Sequence, residues 1–77
     1  MRKAIVTVKC DGAPFALDLE LPVDADSVGL ARAAALAFGQ DGEFRVEVTS
    51  LGRPLNPTET LAAAGVWDGA WLLLKLA

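Results

Sequence analysis

The stretch LGRPLNPTETLAAAGVWDG, residues 51–69, decides how this chain folds. Its first part is polar and holds two prolines, which disfavour a helix, and its middle is rich in alanine, which disfavours a strand. Thr60 is a good N-cap for a single helical turn, LAAA, which Gly65 closes. With Leu55 and Val66 as buried anchors, the stretch predicts a connection that wraps around a core just before the last apolar run, AWLLLKLA.

Four segments alternate between apolar and polar residues with the period of two that is typical of half-buried strands. They are residues 3–9, 15–21, 44–48 and 70–76. The side chains predicted to face inward are Ala4, Val6, Val8, Phe15, Leu17, Leu19, Leu21, Phe44, Val46, Val48, Leu72, Leu74 and Leu76. Asp11 and Gly12 predict a hairpin turn between the first two strands, because glycine accepts a positive φ.

One helix is predicted over residues 28–38, VGLARAAALAF, and Gly39 ends it. Its candidate N-terminal caps are Asp24, Asp26 and Ser27. The predicted buried face consists of Leu30, Ala31, Ala34 and Phe38. The pattern leaves open whether Val28, Ala35 and Leu36 face the core.

The element order is therefore β-β-α-β-β, an α+β arrangement in which one helix crosses a mixed sheet of four to five strands. The first and last strands have no short connection between them, so we expect them to pair in parallel at the centre of the sheet, with Val6 near Leu74. That arrangement is a β-grasp. Seventy-seven residues suffice for one small domain, residues 1–77.

The residue inventory disfavours several classes of function. The net charge of −3 argues against nucleic acid or an anionic membrane as the main partner. The chain has no histidine and one cysteine, Cys10, so neither a Cys₂His₂ zinc site nor a Cys-His nucleophile is expected. Asp18 and Glu20 are explained by solvation, and Asp24 and Asp26 by helix capping. We therefore expect no enzyme, no catalytic residue, no metal and no cofactor.

The location of the protein is predicted from its terminal segments, which do not have the pattern of a signal peptide or of a membrane span. The first apolar run ends at Lys9, too early for a signal peptide, and the last run is far shorter than a membrane span. We expect a cytoplasmic monomer that binds a protein partner and does not insert into a membrane. A single isoleucine and a single asparagine amid abundant alanine, glycine, arginine and valine favour a GC-rich, bacterial genome.

The chain resembles ubiquitin and its relatives in the stretch that precedes the last strand. Ubiquitin-like proteins carry a Gly-basic-x-Leu turn, then Thr-Leu, then a buried aliphatic residue. The matching residues here are Gly52-Arg53-Pro54-Leu55, Thr60-Leu61 and Val66, followed by Leu72 and Leu74. The hairpin and the helix agree in order, so the resemblance extends over the whole chain and implies the ubiquitin-like fold.

The C-terminal sequence distinguishes this chain from ubiquitin and from sulfur carriers. Those proteins end in a flexible Gly-Gly tail, whereas this sequence ends LLLKLA. Among bacterial relatives that lack this tail, the small ubiquitin-like proteins associated with type VII secretion, which are YukD-like, look most similar. The resemblance implies a non-enzymatic interaction module. The alternative is a protein modifier joined to its targets through Ala77 or through an atypical or truncated tail; a sulfur carrier is disfavoured by the missing glycines.

Two groups of residues are candidates for binding a partner. The first is the outward row of the predicted sheet, where apolar and cationic side chains suit an acidic and apolar partner. Its members are Ile5, Thr7, Lys9, Thr49, Leu73 and Lys75. The second is the pair Trp67 and Trp71, since tryptophan is enriched among interface hot spots. The alternatives are an ordinary solvated sheet face and a Trp67 side chain that packs over the sheet rim.

Overall fold

The computed structural model of the protein describes residues 2–77. Its elements are β1 (Lys3–Cys10), β2 (Ala16–Pro22), α1 (Ser27–Ala37), β3 (Phe44–Val48), β4 (Arg53–Pro54) and β5 (Trp71–Leu76). The strands form one five-stranded sheet in the order β2-β1-β5-β3-β4. The predicted mixed sheet with a single helix across it is therefore confirmed, and the short piece β4 supplies its fifth strand.

The parallel pair β1 and β5 lies at the centre of the sheet, as predicted. The pairing runs from Thr7 opposite Trp71 to Cys10 opposite Leu74. Antiparallel partners flank this pair, β2 beside β1 and β3 beside β5. Leu74 thus lies opposite Cys10 rather than near Val6, so the expected register was wrong although the direction was right.

Two aspartates form hydrogen bonds between β1 and β5 at the two ends of the parallel pair, although the bonded residues are far apart in the sequence. The Ile5 N–H donates to the Asp68 carboxylate at 2.8 Å, where the two strands begin. The Leu76 N–H donates to the Asp11 carboxylate at 3.1 Å, where they end. The turns that carry these aspartates therefore also hold the first and last strands together.

The core lies between the inner face of the sheet and α1. Its buried side chains include Ala4, Val6 and Val8 of β1, Val46 and Val48 of β3, and Leu72 and Leu74 of β5, together with Leu30, Ala31, Ala34, Phe38, Leu55, Leu61 and Val66. Two inward predictions were wrong. Phe15 precedes β2 and is 49% exposed, with its ring stacked on Phe38 at 5.5 Å between centroids. Leu76 is 60% exposed because it lies opposite Phe44 at the end of the sheet, beyond the last buried residue of β5.

The first turn of α1 is held by two side chains with different partners. The Asp26 carboxylate accepts the Gly29 N–H at 2.8 Å and is the N-cap. Ser27 is buried, and its hydroxyl donates to the carbonyl of Asn56 at 2.7 Å. The helix start is therefore tied directly to the long connection that follows β4.

The three helix positions that the sequence left open differ in their exposure. Ala35 is buried, whereas Val28 is 48% and Leu36 75% exposed. Gly39 follows the helix with φ of 68°, a conformation that glycine adopts without a Cβ clash. The buried face is thus lined mainly with alanine, which lets the helix lie close to the sheet.

The connection after β4 forms a turn where a one-turn helix was predicted. The Thr60 hydroxyl oxygen accepts the Ala63 N–H at 3.1 Å, and Gly65 closes the turn with φ of 74°. The Ala64 N–H makes the α-helical bond to the carbonyl of Thr60 at 3.1 Å. The cap and the closure are as predicted, but residues 61–65 are a turn rather than a helix.

An ion pair between Arg53 and Glu59 stabilises the first part of this connection. The Arg53 guanidinium donates to both carboxylate oxygens of Glu59, each at 2.9 Å. The Asn56 N–H donates to the same carboxylate at 3.1 Å. These bonds lower the pKa of Glu59 to about 2, with the Arg53 hydrogen bonds as the main cause and the Asn56 N–H next.

Candidate protein-binding surface

The sheet face that points away from α1 is open to solvent in the part of the chain that the structure describes. Its side chains alternate with the buried ones along each strand. Ile5 is 54% and Trp71 51% exposed, and Leu73 is half-buried. We call this surface the open face; its members are Ile5, Thr7, Lys9, Asp18, Glu20, Arg45, Glu47, Thr49, Trp71, Leu73 and Lys75.

Strand pairing brings most of the predicted binding residues into adjacent rows. Lys9 on β1 lies opposite Leu73 on β5, and Thr7 lies opposite Trp71. The Thr49 N–H donates to the carbonyl of Trp71 at 3.2 Å. An aliphatic side chain, an indole ring and an ammonium group therefore lie side by side at the centre of the open face.

Ile5 and Lys75 lie towards opposite ends of this surface. Ile5 is next to the turn at Asp68 and Gly69, because its carbonyl accepts the Gly69 N–H at 2.9 Å. Lys75 lies opposite Arg45 on β3. All six members of the outward row that the sequence predicted are thus on one face.

The open face carries both signs of charge. The Lys75 ammonium lies 3.2 Å from the carboxylate of Glu47, and the Thr7 hydroxyl donates to Asp18 at 2.7 Å. Glu20 is 3.6 Å from the ammonium of Lys3. Lys9 has no ion pair within residues 2–77. The positive charge next to Leu73 is therefore available to a partner.

Glu47 also belongs to the open face, although it was not predicted among the binding residues. The alternation over residues 44–48 already placed its side chain outward. Its pairing with Lys75 depends on the register between β3 and β5, which the alternation does not give. Glu47 thus offsets the charge of Lys75 on this surface.

The two tryptophans have different surroundings. Trp71 begins β5 on the open face. Trp67 is 44% exposed, and the Arg2 guanidinium carbon lies 5.2 Å from its ring centroid. A cation–π contact of this kind stabilises an exposed ring by about 0.5–1 kcal/mol. Trp67 thus combines a packed side with an exposed one.

Ala77, the predicted point of conjugation, lies beside β3. Its N–H donates to the carbonyl of Glu43 at 3.1 Å, which continues the pairing of β5 by one residue. No feature of the described residues tests conjugation, which stays a prediction.

The groups that could carry other chemistry have ordinary surroundings. Cys10 is buried, and burial together with the charge of Asp11 raises the pKa of its thiol, which disfavours the nucleophilic thiolate. Histidine, cysteine and acidic side chains form no cluster of three or more suited to a metal within residues 2–77. No helix in the described part of the chain has the length and apolar character needed to cross a membrane.

Comparisons with known structures show the ubiquitin-like fold. Ubiquitin from Caldiarchaeum subterraneum superimposes with a TM-score of 0.78 at 23% identity, covering 99% of this chain and 95% of that one. A ubiquitin-like domain from Arabidopsis thaliana has a TM-score of 0.77 at 17% identity, covering 99% of this chain and 79% of that one. A chain of the toluene 4-monooxygenase HD complex with the inhibitor 4-bromobenzoate has a TM-score of 0.86 at 11% identity, covering 99% and 100%.

Sequence comparisons are more specific about the family. No curated protein matches the chain by sequence. The family model of protein YukD of the WXG100 protein secretion system matches residues 4–74, which span the sheet, the helix and the wrapping connection. The chain therefore belongs to the YukD family of ubiquitin-like proteins.

Proposed function

We propose that this protein is a non-enzymatic interaction module that binds another protein through the open face. The observation that carries the proposal is the row in which Lys9, Leu73 and Trp71 lie side by side without a covering element in the described chain. Exposed apolar side chains that adjoin one another mark interaction sites more often than apolar residues scattered singly.

The chemistry of the open face indicates the kind of partner. Trp71 and Leu73 offer apolar area, and a buried tryptophan contributes strongly when a partner excludes water around it. Lys9 adds a positive charge that has no ion pair within residues 2–77. A partner with an apolar residue next to a carboxylate complements both the apolar area and the positive charge. Membership in the YukD family makes the components of a WXG100 protein secretion system the first partners to test.

A pull-down with matched glutamate variants tests the proposal. Leu73→Glu places a carboxylate in the apolar row, so we expect it to abolish retention of the partner from a lysate of the source cells. Ala33→Glu makes the same change of charge at an exposed position on α1, away from the sheet, and is expected to retain the partner.

The same experiment contains the outcome that would refute this function. Normal retention by Leu73→Glu would show that the open face is not the binding surface. Intact-mass analysis of the protein after incubation with lysate and ATP separates docking from conjugation, because a ladder of covalent adducts would indicate a modifier instead.

A further inference from the structure

We propose that the outer edge of β2 is a second docking site, which takes a basic and apolar segment of a partner protein as an added antiparallel strand. β2 comes first in the strand order of the sheet, so it has a neighbouring strand on one side only. We call the other side of Ala16–Pro22 the β2 edge. It is seven residues long, because all of these residues pair with β1.

The main-chain groups of β2 point alternately towards β1 and away from it. The carbonyl of Arg2 accepts the Val23 N–H at 3.1 Å, so these two residues form a hydrogen-bonded pair. Such pairs alternate with non-bonded pairs along an antiparallel ladder, which directs the polar groups of the odd-numbered residues of β2 towards β1. The even-numbered residues Ala16, Asp18 and Glu20 therefore direct their N–H groups and carbonyls out of the sheet.

These outward main-chain groups are unpaired. The N–H groups and carbonyls of Ala16, Asp18 and Glu20 have no hydrogen-bond partner within residues 2–77. Pro22 has no N–H, so it ends the row of donors. A strand edge of this kind accepts an additional strand, which is one of the recurring modes of peptide recognition. The occupant is therefore expected to be extended.

The β2 edge is acidic on the side of the open face. Asp18 and Glu20 are exposed there. The Asp18 carboxylate accepts the hydroxyl of Thr7, a neutral group, at 2.7 Å, so its charge is not compensated by this contact. Opposite charges on adjacent strands stabilise a sheet. Lysine or arginine residues of an added strand, placed opposite the two carboxylates, therefore fit this side.

The cations near the edge do not neutralise it. The Lys3 ammonium lies 3.6 Å from the Glu20 carboxylate, and their side chains are 49% and 60% exposed, so this pair contributes little and leaves the carboxylate accessible. Lys9 lies opposite Ala16 rather than opposite an acidic residue. Arg32, the single charged residue of α1, lines a cavity with the first residues of β3 and so lies towards the other side of the sheet.

The inner side of the same strand is apolar and incompletely covered. Leu21 is buried, Leu19 and Leu17 are half-buried, and Phe15 is 49% exposed. An added strand buries every second side chain against this row. The occupant that matches both sides of the β2 edge thus alternates basic and apolar residues.

The charge of the edge disfavours a second copy of this chain as the occupant. An antiparallel pair of two β2 strands, centred on residues 18–20, places acidic side chains opposite acidic ones. Like charges directly opposite each other destabilise a strand pair. The β2 edge therefore selects a basic strand from another protein over self-association.

Hydrogen exchange followed by NMR tests the site directly. The probe is a capped five-residue peptide, acetyl-KVKVK-amide, added in excess to the ¹⁵N-labelled full chain. We expect exchange of the Asp18 and Glu20 amides to slow at least tenfold, because both gain an acceptor. The Leu19 amide already pairs with β1 and is expected to change less. Unchanged exchange at Asp18 and Glu20 would overturn the proposal.

Matched peptides separate strand addition from attraction between charges. The peptide acetyl-KKKVV-amide has the same composition and charge without the alternation, and its binding is expected to be at least tenfold weaker. In the antiparallel arrangement, the N–H of the central lysine donates to β2 and that of the second valine points away. Methylation of the lysine nitrogen is therefore expected to weaken binding at least tenfold, and methylation of the valine nitrogen to leave it nearly unchanged. Equal or reversed effects of the two methyl groups would overturn the proposal.

A pair of charge variants tests the acidic side. Asp18→Lys is expected to weaken binding of acetyl-KVKVK-amide at least tenfold. Asp41→Lys makes the same change of charge at an exposed position in the loop after α1, and is expected to bind the peptide normally. The dispersion of the amide spectrum shows that each variant is folded. Retained binding by folded Asp18→Lys would contradict the role of the edge charge and overturn the proposal.

The outcome is independent of the proposed function, although Asp18 and Glu20 also belong to the open face. Leu73→Glu is expected to lose the partner of the open face and to keep this peptide. Amide shifts confined to Lys9, Leu73 and Trp71 would assign the peptide to the open face and refute the β2 edge.

Discussion

Leu74 shows how much a single residue of the central strand contributes to stability. It is 1% exposed and lies between β1 and β3, opposite Cys10 on one side and Val46 on the other. We expect Leu74→Ala to lower the free energy of unfolding by about 2–5 kcal/mol, since it removes buried methyl groups and leaves a cavity. Urea denaturation measures the change.

The control for Leu74 is the same substitution at a solvent-facing position. Leu36 is 75% exposed on α1, so we expect Leu36→Ala to change the free energy of unfolding by less than about 0.5 kcal/mol. Equal effects of the two substitutions would contradict the assignment of Leu74 to the core.

Glu59 makes stability depend on pH in a defined direction. The Arg53 guanidinium and the Asn56 N–H lower its pKa in the folded protein from 4.5 to about 2. A carboxyl whose pKa is lower in the folded state stabilises the fold above the unfolded pKa, and this contribution is lost as the pH falls. We therefore expect it to be complete above pH 4.5 and to disappear between pH 4.5 and about 2.

Carbon-detected NMR of the Glu59 carboxyl measures this titration directly. Urea denaturation at several pH values then compares the natural chain with Glu59→Gln. The difference in their free energies of unfolding is expected to shrink as the pH falls towards 2. A Glu59 carboxyl that titrates near its ordinary pKa of 4.5 would show that the ion pair does not form in solution.

At the residue scale, the sequence predicted which side chains are buried better than which polar groups pair. Leu55, Leu74 and Val66 are buried as predicted, because burial follows from the apolar pattern alone. The pair Arg53–Glu59 was not predicted, since its members lie six positions apart and no periodicity relates them. The prediction that Phe15 faces inward was wrong because the strand alternation was extended to a residue before Ala16, where β2 begins.

The elements depend on a few polar contacts at their ends. Asp68 lies in the turn before β5 and accepts the Ile5 N–H of β1 at 2.8 Å. We expect Asp68→Ala to lower the free energy of unfolding by about 1 kcal/mol, because the exposed contact is charge-assisted but reaches water. Hydrogen exchange of the Ile5 amide is expected to accelerate in the variant.

The control for Asp68 is an acidic residue without such a contact. Asp24 is exposed and precedes the N-cap of α1, so Asp24→Ala is expected to leave the Ile5 amide protected. An Ile5 amide that exchanges at the same rate in Asp68→Ala and in the natural chain would contradict the role of this aspartate.

At the element scale, the sequence predicted the number, order and direction of the strands but not their register. A period of two fixes which side chains share a face, and it fits several alignments of β1 with β5 equally well. In the observed alignment, Asp68 and Asp11 accept the N–H groups of Ile5 and Leu76, whereas the sequence identified both aspartates only as turn residues. The prediction of a one-turn helix was wrong because so few residues propagate a helix poorly.

At the scale of the whole molecule, α1 covers the inner face of the sheet and leaves the open face without a covering element among residues 2–77. The apolar row of the open face could be predicted from alternation, because Ile5, Leu73 and Trp71 are outward in their strands. The pairing of Lys75 with Glu47 could not, because it depends on the register between β3 and β5.

The match to the YukD family covers residues 4–74, which include most of the open face but not Lys75. The ubiquitin-like fold supports many kinds of binding and does not by itself name a partner. We expect the apolar row of the open face, together with Lys9, which has no ion pair within residues 2–77, to bind a partner that carries apolar and acidic groups.

NMR mapping of the bound partner tests that claim most directly. The partner retained in the pull-down is added to the ¹⁵N-labelled chain, and the loss of each amide signal is followed. We expect the signals of Thr7, Lys9, Leu73 and Lys75 to be lost first while those along the exposed side of α1 persist. Signal loss confined to the helix, with Leu73 and Lys9 unaffected, would contradict the account.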